Sequence, residues 1–308
     1  MKKWIAASLI VLVLVVIYIL LPTEISVQQR ISFKVNANSA YRNVADQNNW
    51  SKWWPQERPS IKAQAPFALK QITYQLQQRF FQSLLIQVNS GDKKILSTLS
   101  FIPLGIDYTI FEWKAVVQGG PWEKIRTYLD AKQIQGQMAD ILQSLKEYIE
   151  KDENLYGFNV KLTKQKDTTL IATKFITNAY PQTNDIYQYI SQLKAYIASQ
   201  SATEINYPML HVQQLDSSRF ESMVAIPTSR ELRGSGDIFL KRMIQGNILE
   251  TEVRGGAVTA QEAMVQLGNY LEDHQLASPA IPFMLLVTDR SKEQDTAKWV
   301  TRVYYPVY

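Results

Sequence analysis

Gln192-Leu193-Lys194-Ala195-Tyr196-Ile197 returns 74 residues later as Gln266-Leu267-Gly268-Asn269-Tyr270-Leu271. The same offset carries Tyr207-Pro208-Met209-Leu210 onto Ile281-Pro282-Phe283-Met284, and Asp289 follows Asp216 at an offset of 73. Ala225-Ile226-Pro227 then matches Tyr304-Tyr305-Pro306 after a short insertion. Apolar matches alone arise easily; one spacing shared by a helix, a proline and an aspartate does not. The second half of the chain therefore reads as two copies of one unit, too few for a solenoid. In the first copy, residues 170–177 form a strand. A helix over 182–200 buries Ile186, Ile190, Leu193 and Ile197, and strands follow near 207–213 and 220–226. In the second, strands near 238–244 and 247–253 precede a helix over 259–274 and strands near 282–288 and 298–305.

Ahead of the duplication the pattern changes. Residues 24–35 read EISVQQRISFKV, with Ile25, Val27, Ile31, Phe33 and Val35 on one parity and Ser26, Gln28, Arg30, Ser32 and Lys34 on the other. That alternation is a half-buried strand. Residues 36–46 predict a short helix capped by Asn38 or Ser39. Asn49-Trp50-Ser51-Lys52-Trp53-Trp54-Pro55 comes next, then a polar loop over 56–66 with Pro59 and Pro66. Strands near 71–80, 83–89, 94–101 and 107–118 follow, with Asn89-Ser90-Gly91-Asp92 as a hairpin turn. Within 121–151, Met138, Ile141, Leu142, Leu145, Tyr148 and Ile149 recur at helical spacing and make one apolar stripe. Lys151-Asp152-Glu153-Asn154 is a polar boundary and marks the linker.

Length and composition bound the function. The 308 residues, 46% hydrophobic and 20% charged, fit about two folded domains. The absence of cysteine removes disulfides, thiol nucleophiles and iron–sulfur clusters. His211 and His274 are the only histidines, too few for a three-histidine metal site and a poor basis for a Ser-His-Asp triad. There is no G-x-S-x-G elbow. Arg233-Gly234-Ser235-Gly236-Asp237 lacks the lysine and spacing of a phosphate-binding loop. No catalytic residue, metal or cofactor is expected. Of the net charge of +5, Lys2 and Lys3 account for two, and the remaining +3 is no footprint for nucleic acid.

Those two lysines precede an apolar run of 18 residues from Trp4 to Leu21, broken only by Ser8 and ended by Pro22. The length is close to a bilayer span. A cleaved signal peptide is the alternative, but Leu20-Leu21-Pro22 makes a poor cleavage site. The expectation is a signal anchor over 4–22 in the cell membrane, crossing once, with a cytoplasmic N-terminus and extracytoplasmic domains.

Two resemblances follow from these patterns. The alternating first strand, the short helix and the Trp50-Ser51-Lys52-Trp53-Trp54-Pro55 element resemble the START-like, or SRPBCC, superfamily, including its polyketide cyclase/dehydrase-like members, over 24–151. That resemblance implies a helix-grip fold around a hydrophobic cavity. The duplicated unit, over 158–308, resembles the GyrI-like, or transcription-activator effector-binding, family. The match rests on Phe220-Glu221-Ser222-Met223-Val224-Ala225-Ile226-Pro227, on the strand ending in Gly255-Gly256 before a helix, on Val287-Thr288-Asp289 and on Val303-Tyr304-Tyr305-Pro306-Val307. It implies binding of small, often amphipathic or cationic, molecules between the copies, and in some relatives hydrolysis of small ligands. The overall class is α+β: one helix-grip domain, then a duplicated β-α-β-β domain.

The GyrI-like family carries a central glutamate and a tyrosine two residues later; alignment puts Met284 and Leu286 there. The paired carboxylate of that family is thus missing, with Glu250 and Glu252, on one strand face, as substitutes or as plain surface charges. Trp50, Trp53 and Trp54 rim a first cavity or plug the short helix onto the sheet. Tyr74, Phe111, Trp113 and Tyr148 are candidates to line that cavity, and Phe175, Tyr180, Tyr187 and Trp299 the second groove. The expected activity is binding or sensing of a small hydrophobic or amphipathic molecule. A hydrolase or cyclase using a Tyr/Glu pair, and a scaffold for an unknown protein partner, are the alternatives.

Overall fold

The computed structural model describes residues 18–56, 65–166 and 169–308, together with Leu12 and Val16. The chain forms two compact units, Met1–Lys151 and Asp152–Tyr308. Both are α+β, each built on one antiparallel sheet with helices packed against it.

The first unit contains β1 (Glu24–Phe33), α1 (Ala37–Ala45), a 3-10 turn (Gln47–Lys52), β2 (Phe67–Leu69), β3 (Ile72–Phe80), β4 (Ser83–Ser90), β5 (Lys93–Pro103), β6 (Thr109–Gln118) and α2 (Lys124–Ile149). The strand order is β1-β6-β5-β4-β3-β2, so the first strand returns beside the last. Asn36 caps α1, its side chain accepting from the Asn38 amide, rather than Asn38 or Ser39. The turn after β4 uses Gly91 at φ +59°, a conformation that glycine reaches without a Cβ clash. On β6 the alternation buries Thr109, Phe111, Trp113, Ala115 and Val117. Across from them, α2 lays Ala131, Ile134, Met138, Ile141, Leu142, Leu145 and Ile149 along β1 and β6.

One expectation is corrected. Among the described residues no helix is long and apolar enough to cross a membrane. That overturns the assignment to the cell membrane as a single-pass protein with extracytoplasmic domains. The segment read as its anchor, 4–22, falls mainly outside the described residues, as does most of the loop over 56–66. The described end of that segment is tied to the start of α2: the Tyr18 hydroxyl donates to the Pro121 carbonyl at 2.8 Å, and Lys124 Nζ donates to the Ile19 carbonyl at 2.9 Å.

The second unit contains α3 (Asp152–Tyr156), β7 (Lys161–Lys164), β8 (Thr169–Thr177), α4 (Thr183–Ser199), β9 (Met209–Gln214), β10 (Phe220–Pro227), β11 (Phe239–Arg242), β12 (Asn247–Arg254), α5 (Ala257–Asp273), β13 (Phe283–Leu286) and β14 (Val300–Val307). Its eight strands run β11-β8-β10-β9-β13-β14-β12-β7, an order that reads as two mirrored halves. Helices α4 and α5 are both 17 residues long and start and end 74 residues apart. At the seam between the halves Leu210 pairs with Met284, the two positions that the same offset equates. A pseudo-twofold axis therefore passes between β9 and β13. The insertion anticipated in the second copy lies between β13 and β14.

The leading strand of each copy is exchanged. β7 pairs with β12 of the second copy, and β11 pairs with β8 of the first. Only five peptide steps join Lys164 to Thr169, and five join Arg242 to Asn247; either connection spans at most about 18 Å of extended chain. On a flat sheet, six strand spacings would separate each pair of strands by about 29 Å. The sheet must therefore curl until its edges approach, and it becomes a trough. The two connections meet there at one bond, the Gln165 amide donating to the Gly246 carbonyl at 2.9 Å.

Candidate functional site

The curled sheet has two unlike faces. On one, α4 and α5 cover a large core that includes Ile171, Ile190, Leu193, Val224, Leu249, Leu267, Met284, Leu286 and Val303. On the other, a smaller apolar set of Leu170, Ala172, Met209, Met223, Ala225, Ile248, Phe283 and Leu285 forms the floor of the trough. Among the described residues no helix of the second unit covers this face, and a cleft of about 910 Å³ opens over it. Ligand sites in proteins have volumes of about 300–1,000 Å³ and apolar walls with a few polar groups. Residues of both copies line the cleft, among them Met209 and Met223 from the first and Ile248 and Phe283 from the second.

The polar groups are few and ordered. A recess of about 220 Å³ adjoins the cleft and shares Lys164, Gln165, Lys166, Met209, Ile248 and Phe283 with it. Its wall carries Glu250, Arg302 and Tyr304. Glu250 and Tyr304 face each other across β12 and β14, as do Glu252 and Arg302. Arg302 Nε lies 3.8 Å from Glu250 and 3.0 Å from Glu252, so one guanidinium serves both carboxylates. Burial, then the neighbouring charge of Glu250, pushes the Tyr304 phenol up to about 12. At neutral pH this phenol is a hydrogen-bond donor rather than a nucleophile. The Tyr304 ring stacks on Phe283 with centroids 5.1 Å apart. On β9, His211 Nδ1 sits 2.7 Å from the Pro282 carbonyl, and burial lowers the imidazole pKa. A neutral ring donating through Nδ1 leaves Nε2 as an acceptor.

The residues singled out from sequence fall into three places. Glu250 and Glu252 are on the trough face of β12. Met284 and Leu286 are on the opposite face, in the helix-side core. Phe175, Tyr180, Tyr187 and Trp299 also lie away from the trough. Phe175 stacks on Tyr189 at 4.2 Å, on the helix side. The other three gather about Arg290. Tyr187 accepts from the Arg290 amide at 2.7 Å and donates to the Thr288 carbonyl at 3.1 Å. The Arg290 guanidinium lies 4.7 Å over the Trp299 ring and donates to Thr301 Oγ1 at 2.6 Å. Tyr180 bonds to Gln261 and feels the Arg290 charge. This cluster pins the insertion between β13 and β14; the neighbouring Asp289 carboxylate acts on Tyr187 and accepts from Ser291.

In the first unit the named aromatics pack against one another. Trp50 stacks on Trp54 with an interplanar angle of 1°, and Trp53 is tilted against both. Trp50 Nε1 donates to the Val44 carbonyl and Trp54 Nε1 to the Ala68 carbonyl, at 2.7 and 2.6 Å. Tyr74 meets Trp54 and Trp113 edge-on, and its hydroxyl donates to Gln137 Oε1 at 3.0 Å. Burial, with Asp140 adding to it, raises the Tyr74 pKa. Phe111 stacks on Phe33 at 3.9 Å, and Trp113 donates to Ser97 Oγ at 3.0 Å. Tyr148 is half-buried on α2 and its pKa is raised by burial.

Sequence reasoning missed the trough's own residues: Met209, His211, Met223, Phe283, Arg302 and Tyr304. Tyr304 and Phe283 were within reach, because both belong to the repeat. Among the described residues no group of three or more His, Asp or Glu is placed to hold a metal ion.

No protein-family model matches the chain, and no curated protein does. Solved structures with similar architecture include a cryo-EM complex of EcmrR with DNA (16% identity, 59% of this chain and 70% of that chain, TM-score 0.45). Another is a hydrolase from Listeria innocua (10% identity, 48% and 92%, TM-score 0.36). A third is SAV2435 bound to tetraphenylphosphonium (17% identity, 49% and 94%, TM-score 0.31). With these TM-scores below 0.5, none of the three decides the fold or the activity of this chain.

Proposed function

We propose that the chain binds a small hydrophobic or amphipathic molecule in the trough of its second unit. On this reading 158–308 is a GyrI-like effector-binding domain and 24–151 a START-like helix-grip domain that serves as its companion. The observation that carries the reading is the apolar trough of about 910 Å³, floored by both copies and left uncovered by helices. Met209, Met223 and Phe283, each only 5–7% exposed, leave a narrow strip of apolar surface at the base of the cleft, and a ligand that displaces water there gains from covering it. Thermal-shift screening of the full chain against amphipathic compounds, with tetraphenylphosphonium as one probe, tests it. Concentration-dependent stabilisation by at least one amphiphile is expected; no shift with any of them would remove the reading.

A second reading, hydrolysis of a small ligand, rests on Glu250 beside Tyr304. Glu250 would activate water while the protonated Tyr304 phenol donates to the oxygen that gains charge. Equal rates of p-nitrophenyl acetate hydrolysis by the native chain and Glu250→Gln would eliminate it.

A further inference from the structure

The exchange of leading strands also sorts charge. The ends of β7 and β11 and the connection after β7 bring Lys164, Lys166, Lys241 and Arg242 to the rim of the large cleft. Arg242 is engaged by Glu231 through two bonds of 2.7 and 2.8 Å. The three lysines have no carboxylate partner among the described residues, and the described lining of this cleft holds no Asp or Glu. Lys241 is near enough to His211, in the trough wall, to oppose its protonation, while Glu221, which favours it, is paired with Lys174. Glu250 stands in the adjoining recess, which Lys164 and Lys166 also line, and there Arg302 and Tyr304 engage it. The same rim exposes large apolar side chains: Ile244 is 88% exposed and Ile281 42%. One site thus combines an apolar floor, an apolar lip and a net positive edge.

We propose that the trough is selective for a single-chain amphipathic anion, such as a long-chain carboxylate. Its headgroup sits among Lys164, Lys166 and Lys241, and its chain lies along Met209, Met223 and Phe283. The proposal rests on the trough being a ligand site and adds the sign of the ligand's charge. Methionine thioethers are flexible and polarizable and adapt to an unbranched chain. Lys164 and Lys166 are exposed and Lys241 is half-buried, so each contributes little; the apolar floor supplies most of the affinity and the lysines supply the choice.

The experiment is calorimetric titration of the full chain with laurate, dodecyltrimethylammonium and dodecanol, each below its aggregation concentration. It is repeated on Lys164→Gln/Lys166→Gln/Lys241→Gln after circular dichroism confirms the fold. Laurate should bind more tightly than the cationic amphiphile. The triple variant should lose about tenfold in laurate affinity and keep its affinity for dodecanol. Equal binding of all three probes, unchanged in the variant, overturns the charge selectivity but keeps the trough as a site. Tighter binding of dodecyltrimethylammonium overturns it with the opposite sign. Binding of none of the three overturns both this inference and the ligand-site reading beneath it.

Discussion

Leu285 and Leu286 are neighbours on β13, both 1% exposed, and they point to opposite faces of the same sheet. Each is replaced by alanine in turn, so chemistry, strand and burial are held constant. Behind Leu286 is the helix-covered core with Leu193, Leu267 and Val303. Truncation there leaves a dry cavity, and the cost is the lost transfer energy plus the cavity, about 3–5 kcal/mol. Leu285 instead borders the recess beside the trough. The space that it vacates joins an opening already accessible to water, so only the transfer part remains, about 2–2.5 kcal/mol for three buried carbons. Leu286→Ala should therefore be the more costly by about 0.5–3 kcal/mol. Urea unfolding followed by circular dichroism measures the difference, with both variants compared in the same transition because the chain has two units. Leu285→Ala as costly as Leu286→Ala, or more so, would refute the two-faced description of the sheet.

Further outcomes follow from the same geometry. In the first unit Ser97 Oγ donates to the Ile86 carbonyl and accepts from Trp113 Nε1. Ser97→Ala leaves that indole unpaired in the core, and thermal unfolding should report a loss of about 1–3 kcal/mol. Glu250→Gln should lower the Tyr304 titration from about 12, read by ultraviolet difference absorbance, since Glu250 is its second-largest cause. The raised Tyr304 pKa also means that its contribution to stability is complete below the unfolded value of about 10 and is lost as pH rises toward 12. For His211 the sign reverses: its folded pKa is lowered by burial, so the unfolded chain binds the proton first and stability declines as pH falls through about 6.5. His211→Gln should flatten that part of the stability–pH curve, measured by thermal unfolding between neutral and mildly acidic pH.

The repeat made the second unit legible because a helix on a sheet must bury one stripe. Ile186, Ile190, Leu193 and Ile197 show that stripe in α4, and the 74-residue offset places α5 on the same footing. The alternation of β1 and β6 was equally plain, since one face of each is buried. β13 was not. All four of its residues are buried, so period-two patterning vanishes and sequence cannot say which residue faces which side. Met284 and Leu286 drew attention because the GyrI-like resemblance aligns a glutamate and a tyrosine there, although Phe283 and Leu285 face the trough. β7 is a short edge strand with Lys161, Leu162 and Lys164 exposed, and it reads as a polar turn. Its exchange with β11 is a long-range pairing that no local pattern announces, and the trough depends on that exchange. The three tryptophans of the first unit were recognised, but their mutual stacking is a matter of packing that residue type alone does not reveal.

The methionines allow the most direct measurement. Met209, Met223 and Met243 line the cleft, whereas Met284 and Met264 belong to the helix side and Met138 to the core of the first unit. Methyl-labelled methionine in the full chain can be followed by NMR during titration with laurate. Progressive, saturable shifts at Met209, Met223 and Met243, with Met138, Met264 and Met284 nearly still, would establish the trough as the binding site. Saturable shifts confined to Met138 or to the helix-side pair, or no shift at any methionine, would contradict it.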